Sequence, residues 1–439
     1  MDLSAARANE SELVPGSRAV LAQPRTIAET GLALEFLGDL LLKHLYTAGV
    51  LDLSQLAERL ALAGTILEAV LNDLRKDGRI EIRGAASGGV ALRYALTERG
   101  RAAAFDALLR SGYVGLAPIP LEQYAEVVRQ QSVHRRAVDR SLLKQALADV
   151  TVSDERLASI GPALNSGRAI MVYGLPGTGK TYICQRLIRA LGDEIFLPYA
   201  LAVGNEVVQY FDPLLHKPLP DPDPASHGSL DFDANYDRRF LRCRRPVAIS
   251  GGELTLDMLE IDYDPQTKLY RAPIQLKANC GIYIVDDLGR QRVQPIQLLN
   301  RWIVPMEEQI DYLTLGSGKR FPVPFDVILV FSTNLDPKEL ADEAFLRRIG
   351  YKIHFKPVSR GEFETIWREI HAARDAPFDS ATFEILMGLY AEEKRPLLPC
   401  HPRDLVGLMI DQCLFEGSPP ELTPTRLRRA WDLYFVRDN

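Results

Sequence analysis

Gly174-Leu175-Pro176-Gly177-Thr178-Gly179-Lys180-Thr181 decides how this chain is read. The stretch fits the pattern GxxxxGK[ST]. A strand-like run, Ala169-Ile170-Met171-Val172-Tyr173, precedes it, and residues 182–191 follow with Ile183, Leu187 and Leu191 spaced for one helical face. Strand, glycine turn and helix are what phosphate binding requires: glycines let backbone amides close around a β-phosphate, and the helix start adds the positive end of its dipole. Lys180 is placed to neutralise β- and γ-phosphates, and Thr181 to put its hydroxyl on Mg2+. The expected nucleotide-binding residues are therefore Gly174, Pro176, Gly177, Thr178, Gly179, Lys180, Thr181 and Tyr182, with ATP and Mg2+ as ligands.

Outward from that loop, 439 residues make room for two or three domains, and 46% hydrophobic with 25% charged residues is an ordinary globular composition. A net charge of -6 argues against a protein whose main task is coating nucleic acid. Cys184, Cys243, Cys280, Cys400 and Cys413 show no CxxC pair or metal-ligand spacing, so they read as reduced, mostly buried thiols of a cytoplasmic protein. The apolar stretch 32–42 is broken by Glu35 and Asp39 and is too short to span a membrane; neither membrane insertion nor a signal peptide is expected. The histidines are dispersed and form no metal-binding motif.

Residues 1–25 read as a loose tail. Residues 26–112 show a long helix (27–48), two shorter ones (54–60 and 65–76), then two extended pieces (79–83 and 90–96) joined by a turn-rich 84–89. Three helices followed by a hairpin is a winged-helix order. The segment Leu96-Thr97-Glu98-Arg99-Gly100-Arg101 resembles the end of the wing in MarR-like and PadR-like domains. DNA contact through residues 26–112 is open, because Arg79, Arg83 and Arg93 offer a wing patch. Against it, residues 26–110 hold 11 acids and 10 bases, and the candidate recognition helix carries Glu68 and Asp73. Protein docking or self-assembly is the other reading.

Residues 113–150 read as a helical linker opened by Ala117-Pro118-Ile119-Pro120. Beyond the phosphate loop, 194–203 reads as a second core strand, 205–211 as a short helix, and the proline- and aspartate-rich 212–233 as an exposed loop. Extended runs at 253–263 and 269–277 predict a hairpin inserted around Asp264-Pro265-Gln266-Thr267.

Ile282-Tyr283-Ile284-Val285-Asp286-Asp287 is an aliphatic strand ending in two acids, the Walker B arrangement. A buried parallel strand delivers its C-terminal residues to the phosphates, which is why the acids close the run. Asp286 is expected to hold Mg2+, and Asp287 to orient and deprotonate the attacking water.

Phosphate loop and acidic pair together resemble the AAA+ ATPases over residues 151 to the C-terminus. That resemblance implies an α/β P-loop core (151–358), a parallel sheet flanked by helices, followed by a helical lid (359–439). Most of that family has Glu where this chain has Asp287, one methylene shorter. A second hairpin over 309–324, with Lys319 and Arg320 at its tip, resembles the pre-sensor-1 insertion of MoxR-like ATPases, magnesium chelatases and bacterial enhancer-binding proteins. The tip is read either as a grip on an acidic or phosphate-bearing substrate or as a solvated turn. Ser332-Thr333-Asn334 matches sensor 1, with Asn334 toward the γ-phosphate. Ala344-Phe345-Leu346-Arg347-Arg348-Ile349 resembles the arginine-finger segment, Arg348 favoured and Arg347 close behind. Arg403, in His401-Pro402-Arg403-Asp404-Leu405, matches sensor 2.

The resemblance implies an ATPase that hydrolyses Mg-ATP between subunits of a ring or spiral homo-oligomer, expected to be a hexamer. The expected work is chaperone-like remodelling of a protein client recruited by the winged helix. A DNA-associated ATPase or transcription regulator, and a slow ATP-dependent switch or scaffold, are the alternatives.

Overall fold

The computed structural model describes residues 21–84, 92–135, 137–192, 194–220 and 236–435. Helix formation begins at Ile27–Thr30 and stops at Gly31, whose φ of 68° suits glycine and whose N–H closes on the Ala28 carbonyl. The single helix expected over 27–48 is therefore two, the second being Leu34–Ala48. There follow β1 (Val50–Asp52), helix Leu53–Leu60 held by an Asp52/Gln55 capping box, helix Gly64–Lys76, β2 (Ile80–Arg83), β3 (Arg93–Leu96) and helix Glu98–Arg110. β3 pairs antiparallel with β1 on one side and β2 on the other. Leu37, Leu41, Leu45, Leu56, Ile66 and Val70 fill one core beneath them. Most of the expected turn 84–89, and Val90 and Ala91 after it, lie outside the described residues.

Two expectations for the flanking segments need correction. Of the tail, residues 1–20 lie outside the described residues, but Leu21 is buried and its carbonyl accepts from the Asp237 N–H at 2.5 Å. Residues 113–150 are not one helical linker. Ile119–Pro120 forms β4, helix Leu121–Gln130 buries Tyr124, Val127 and Val128, and helix Arg140–Ala146 packs Leu143 and Ala146 beside Leu187 and Leu191. Buried apolar positions in every piece are what pull this stretch into the body of the protein.

The remaining strands are β5 (Ile170–Tyr173), β6 (Glu194–Pro198), β7 (Ala200–Val203), β8 (Glu206–Gln209), β9 (Phe240–Arg244), β10 (Val247–Ser250), β11 (Asp262–Asp264), β12 (Leu269–Arg271), β13 (Gly281–Val285), β14 (Ile310–Thr314), β15 (Arg320–Pro324), β16 (Val327–Thr333) and β17 (Tyr351–His354). The central sheet has the order β10-β13-β16-β5-β17 and is parallel throughout. Ile282 and Ile284 face one layer with Ile183 and Leu187, while Tyr283 and Val285 face the other with Leu298 and Trp302. Alternate residues thus serve two helical layers, which explains why these strands are apolar without a break.

Several expected elements fall elsewhere. Residues 194–203 are two strands, and neither enters the central sheet; the place beside β13 belongs to Val247–Ser250. The helix expected at 205–211 is β8, joined to β7 by the two-residue turn Gly204-Asn205 with Gly204 at φ 66°. The hairpin expected around Asp264-Pro265-Gln266-Thr267 is present as the antiparallel pair β11–β12, but its arms are short: of 253–263 only the end is strand, and 269–277 turns into helix Ile274–Lys277 after Pro273. The 212–233 stretch is not all exposed: His216 is fully buried, stacked on Tyr210 at 5.4 Å, and residues 221–233 lie outside the described residues.

β4, β7, β8, β12 and β11 make a second five-stranded sheet. With the β6–β9 ribbon and the β14–β15 hairpin it encloses another core, including Tyr124, Leu201, Tyr210, Phe240, Leu313 and Phe321. The chain closes on helices Arg360–Ala373, Ser380–Glu392, Cys400–Phe415 and Pro424–Tyr434 around Phe363, Trp367, Tyr390, Met409 and Trp431. Central parallel sheet, two helical layers and a C-terminal helical region together form an α/β fold. No helix among the described residues is long and apolar enough to cross a membrane.

Candidate nucleotide site

Parallel pairing brings the loops that matter to one edge. Thr333 lies in register with Tyr173, and Phe331 with Val285, so the residues that follow β5, β13 and β16 emerge side by side. The phosphate loop leaves β5 with Gly174, Gly177 and Gly179 at φ 140°, 83° and 83°. At Gly177 a Cβ would stand 2.4 Å from the Cys400 sulfur, so a side chain there would have to displace that sulfur as well as strain the backbone. Thr178, fully buried, donates its hydroxyl to the Leu175 carbonyl at 2.8 Å and closes the turn. Leu175, Pro176 and Gly177 form the exposed crest, and Tyr182 stands exposed with the Arg186 guanidinium 3.4 Å above its ring centre.

Lys180 is buried, and its ammonium donates to the Gly174 carbonyl (2.9 Å), the Leu175 carbonyl (3.0 Å) and Asn334 Oδ1 (2.7 Å). Burial lowers its pKa, opposed by the charges of Asp286 and Asp287. The other end of the Asn334 amide donates from Nδ2 to Asp287 Oδ1 at 2.9 Å, a consistent orientation for an acceptor facing a cation and a donor facing a carboxylate. Thr181 donates its hydroxyl to both oxygens of Asp286, at 2.9 and 2.8 Å. Asp287 adopts φ 49°, in the left-handed region. Lys180, Thr181, Asp286, Asp287 and Asn334 are thus one connected cluster.

The cluster fits Mg-ATP. Three ammonium donors now spent on loop carbonyls and an amide are free to turn to phosphate oxygens. Thr181 and Asp286 are the hard-oxygen pair that would hold Mg2+, an ion that keeps several waters and takes few protein ligands. Among the described residues no group of three or more His, Cys, Asp and Glu forms a separate metal site.

The three arginines stand apart from it. Arg348 donates from Nε to Glu307 at 2.5 Å and from Nη1 to the Ala344 carbonyl at 2.9 Å. Arg347 is exposed and has no side-chain partner among the described residues. Arg403 is exposed and bonded to Asp404 at 3.0 Å rather than to the loop, although its own helix begins at Cys400, against Gly177. At the β14–β15 hairpin, Leu313, Leu315, Phe321 and Val323 are buried in the second core, and Arg320 lies 4.7 Å over the Tyr312 ring. Of the wing arginines, Arg79 pairs with Asp77 at 3.1 Å and Arg83 with Glu81 at 3.0 Å.

Sequence reasoning missed Gln291. It is buried and donates from Nε2 to the Asp286 carbonyl at 3.0 Å and the Gly251 carbonyl at 3.2 Å, while its Oε1 accepts from the Gly289 N–H at 2.9 Å. Its signal was slight: an amide side chain in the glycine turn just after the acidic pair.

Residues 359–433 match a family described as Domain of unknown function (DUF8689), which places no activity on the helical region. No curated protein matches the chain in sequence. Among solved structures, it is similar to a RuvB variant from Thermotoga maritima, with 13% identity over 66% of this chain and 73% of that one, at a TM-score of 0.38. It is also similar to NtrX from Brucella abortus, with 13% identity over 74% of this chain and 59% of that one, at 0.38. For a magnesium chelatase complex of BchI and BchD the figures are 18% identity over 64% of this chain and 91% of that one, at 0.32. At such identities the function rests on the residues of the site. The chain has an α/β fold on a parallel sheet, with Lys180, Thr181, Asp286, Asp287 and Asn334 drawn into one cluster.

Proposed function

We propose that the protein is an ATPase that hydrolyses Mg-ATP between subunits of a homo-oligomer and uses the cycle to remodel a protein client. The observation that carries this reading is the joined set Thr181–Asp286 and Lys180–Asn334–Asp287. Bound Mg2+ would neutralise β- and γ-phosphate charge. Lys180 binds and neutralises the same phosphates, Asn334 orients the attacking water, and Asp287 accepts its proton. The aspartate is shorter than glutamate, and its left-handed backbone changes the direction from which the carboxylate approaches.

Completion of the site falls to an arginine from a neighbouring copy. Arg347, exposed and unpaired among the described residues, suits that task better than Arg348, which is committed to Glu307. Arg403 suits the role of a lid residue that swings to the phosphates from the Cys400–Phe415 helix. Protein rather than DNA is the favoured partner of the N-terminal winged helix, because Arg79 and Arg83 are neutralised by neighbouring acids.

The test is ATP turnover per subunit against protein concentration, for wild type, Arg347→Ala and Asp287→Asn. Turnover rising with concentration, and lost in both variants while ATP binding survives, supports the reading. A constant turnover untouched by Arg347→Ala would leave a self-sufficient monomer and end the remodelling proposal.

A further inference from the structure

We propose that Gln291 is a positioning residue for hydrolysis: its amide fixes the peptide between Asp286 and Asp287, and with it the reach of the Asp287 carboxylate. The inference rests on the ATPase reading above.

Asp287 holds a left-handed backbone, uncommon for residues other than glycine though more accessible to aspartate than to most. The flanks of the turn are pinned by the backbone. Asp286 N–H donates to the Ser250 carbonyl at 2.7 Å, Leu288 N–H to the Ser332 carbonyl at 2.8 Å, and Arg290 N–H to the Asp287 carbonyl at 2.9 Å. On the peptide that carries Asp287, the N–H donates to Asp286 Oδ1 at 3.0 Å. Its carbonyl, that of Asp286, accepts one hydrogen bond among the described residues, from Gln291 Nε2. Rotating that peptide is the motion that would move Asp287 out of its conformation, and the Gln291 bond resists it.

The rest of the side chain is spent in the same cause. Its second N–H reaches the Gly251 carbonyl and its oxygen holds the Gly289 N–H, so a buried amide joins three backbone groups from two loops. Gly289 has no side chain with which to fix the turn, and a Cβ there would meet Leu335 and Leu340 at 2.9 Å. Gly251 opens the link from β10 to the second sheet, where Glu253 accepts from its N–H at 2.8 Å. Gln291 is therefore also the point at which a displacement of that link reaches the base.

A reacting group misplaced by about 1 Å loses roughly 100-fold in rate. Gln291→Glu keeps the acceptor for Gly289 but turns both donors into a carboxylate oxygen facing two carbonyls; Gln291→Ala removes all three bonds. In the full chain both should lower kcat roughly 10- to 100-fold and leave the KM for ATP and the affinity for a fluorescent ATP analogue within about twofold. Amide exchange of residues 287–289 should be faster in both. The proposal is overturned if kcat is unchanged, or if kcat and nucleotide affinity fall together with a broad loss of exchange protection. If wild type binds the analogue but has no turnover, the ATPase reading fails separately. Exchange then decides: faster exchange confined to residues 286–291 keeps Gln291 as the residue that holds the turn, and unchanged exchange removes it.

Discussion

Replacing Arg239 should be among the most damaging single changes in the molecule. Its side chain and that of Asp237 are both fully buried and meet at 2.7 Å. Nε and Nη2 serve the carboxylate, Nη1 donates to the Thr30 carbonyl at 3.0 Å and the Pro118 carbonyl at 3.4 Å, and Nη2 also reaches Gln123 at 3.2 Å. One guanidinium thus ties the first helix of the N-terminal domain, the β4 segment and the second core together. Arg239→Met would leave an uncompensated buried carboxylate and should cost about 3–5 kcal/mol, against a total stability of roughly 5–15 kcal/mol for a domain. Removing both charges in Asp237→Leu/Arg239→Met leaves carbonyl groups, and the Arg239 N–H that donates to Asp237 Oδ1 at 3.0 Å, short of partners, at about 1–3 kcal/mol each. The double variant should then be more stable than the sum of the singles predicts by at least about 2 kcal/mol. Urea unfolding followed by circular dichroism measures the cycle, and amide exchange over residues 27–30 and 118–123 locates it. A cost below about 1 kcal/mol for Arg239→Met, or singles that add within about 0.5 kcal/mol, would refute the argument.

Arg347→Ala should lower turnover per subunit by roughly 1,000-fold or more, whereas Arg348→Ala, which breaks a half-exposed ion pair with Glu307, should cost under about 1 kcal/mol of stability in a thermal melt and less activity. Lys180→Ala should abolish binding of a fluorescent ATP analogue, since it removes the cation that the loop carbonyls and Asn334 now hold. Burial pushes the pKa of His401 down to about 4, with Asp404 opposing and Arg395 assisting. A folded pKa depressed below the ordinary 6.5 means that the unfolded chain takes the proton first. Stability should therefore be full above about pH 6.5 and fall between there and about 4, with a slope approaching ~1.4 kcal/mol per pH unit. His401→Gln should flatten that slope in melts followed by tryptophan fluorescence.

What could be read from the sequence was what is written locally. The phosphate loop is a contiguous pattern, and Asp286 and Asn334 end apolar strands that parallel pairing must carry to the same edge. The second sheet could not be read that way, because its five strands are two to four residues long and come from segments between Ile119 and Arg271. Such short runs show no periodicity, and their pairing is set by distant contacts. Val247–Ser250 was hidden in the same way, a four-residue strand behind Arg244-Arg245-Pro246. The β7–β8 hairpin did carry a signal, Gly204-Asn205 directly after Ala202-Val203, and Val207 and Val208 favour strand over the helix expected there. Which arginine is free was not a matter of sequence spacing at all; it turns on Glu307, forty-one positions away from Arg348.

The sulfur of Cys400 occupies the space a side chain on Gly177 would need, and Leu398 lies 3.7 Å from the same point. The crest of the phosphate loop and the first residue of the Cys400–Phe415 helix are therefore close neighbours. A swelling of the loop around an incoming phosphate would press on that helix directly, as through a gear with little backlash. The helical region is in this sense the pointer of a gauge whose spring is the glycine turn. Trimming the contact to Cys400→Gly would leave the loop its shape but give the pointer play.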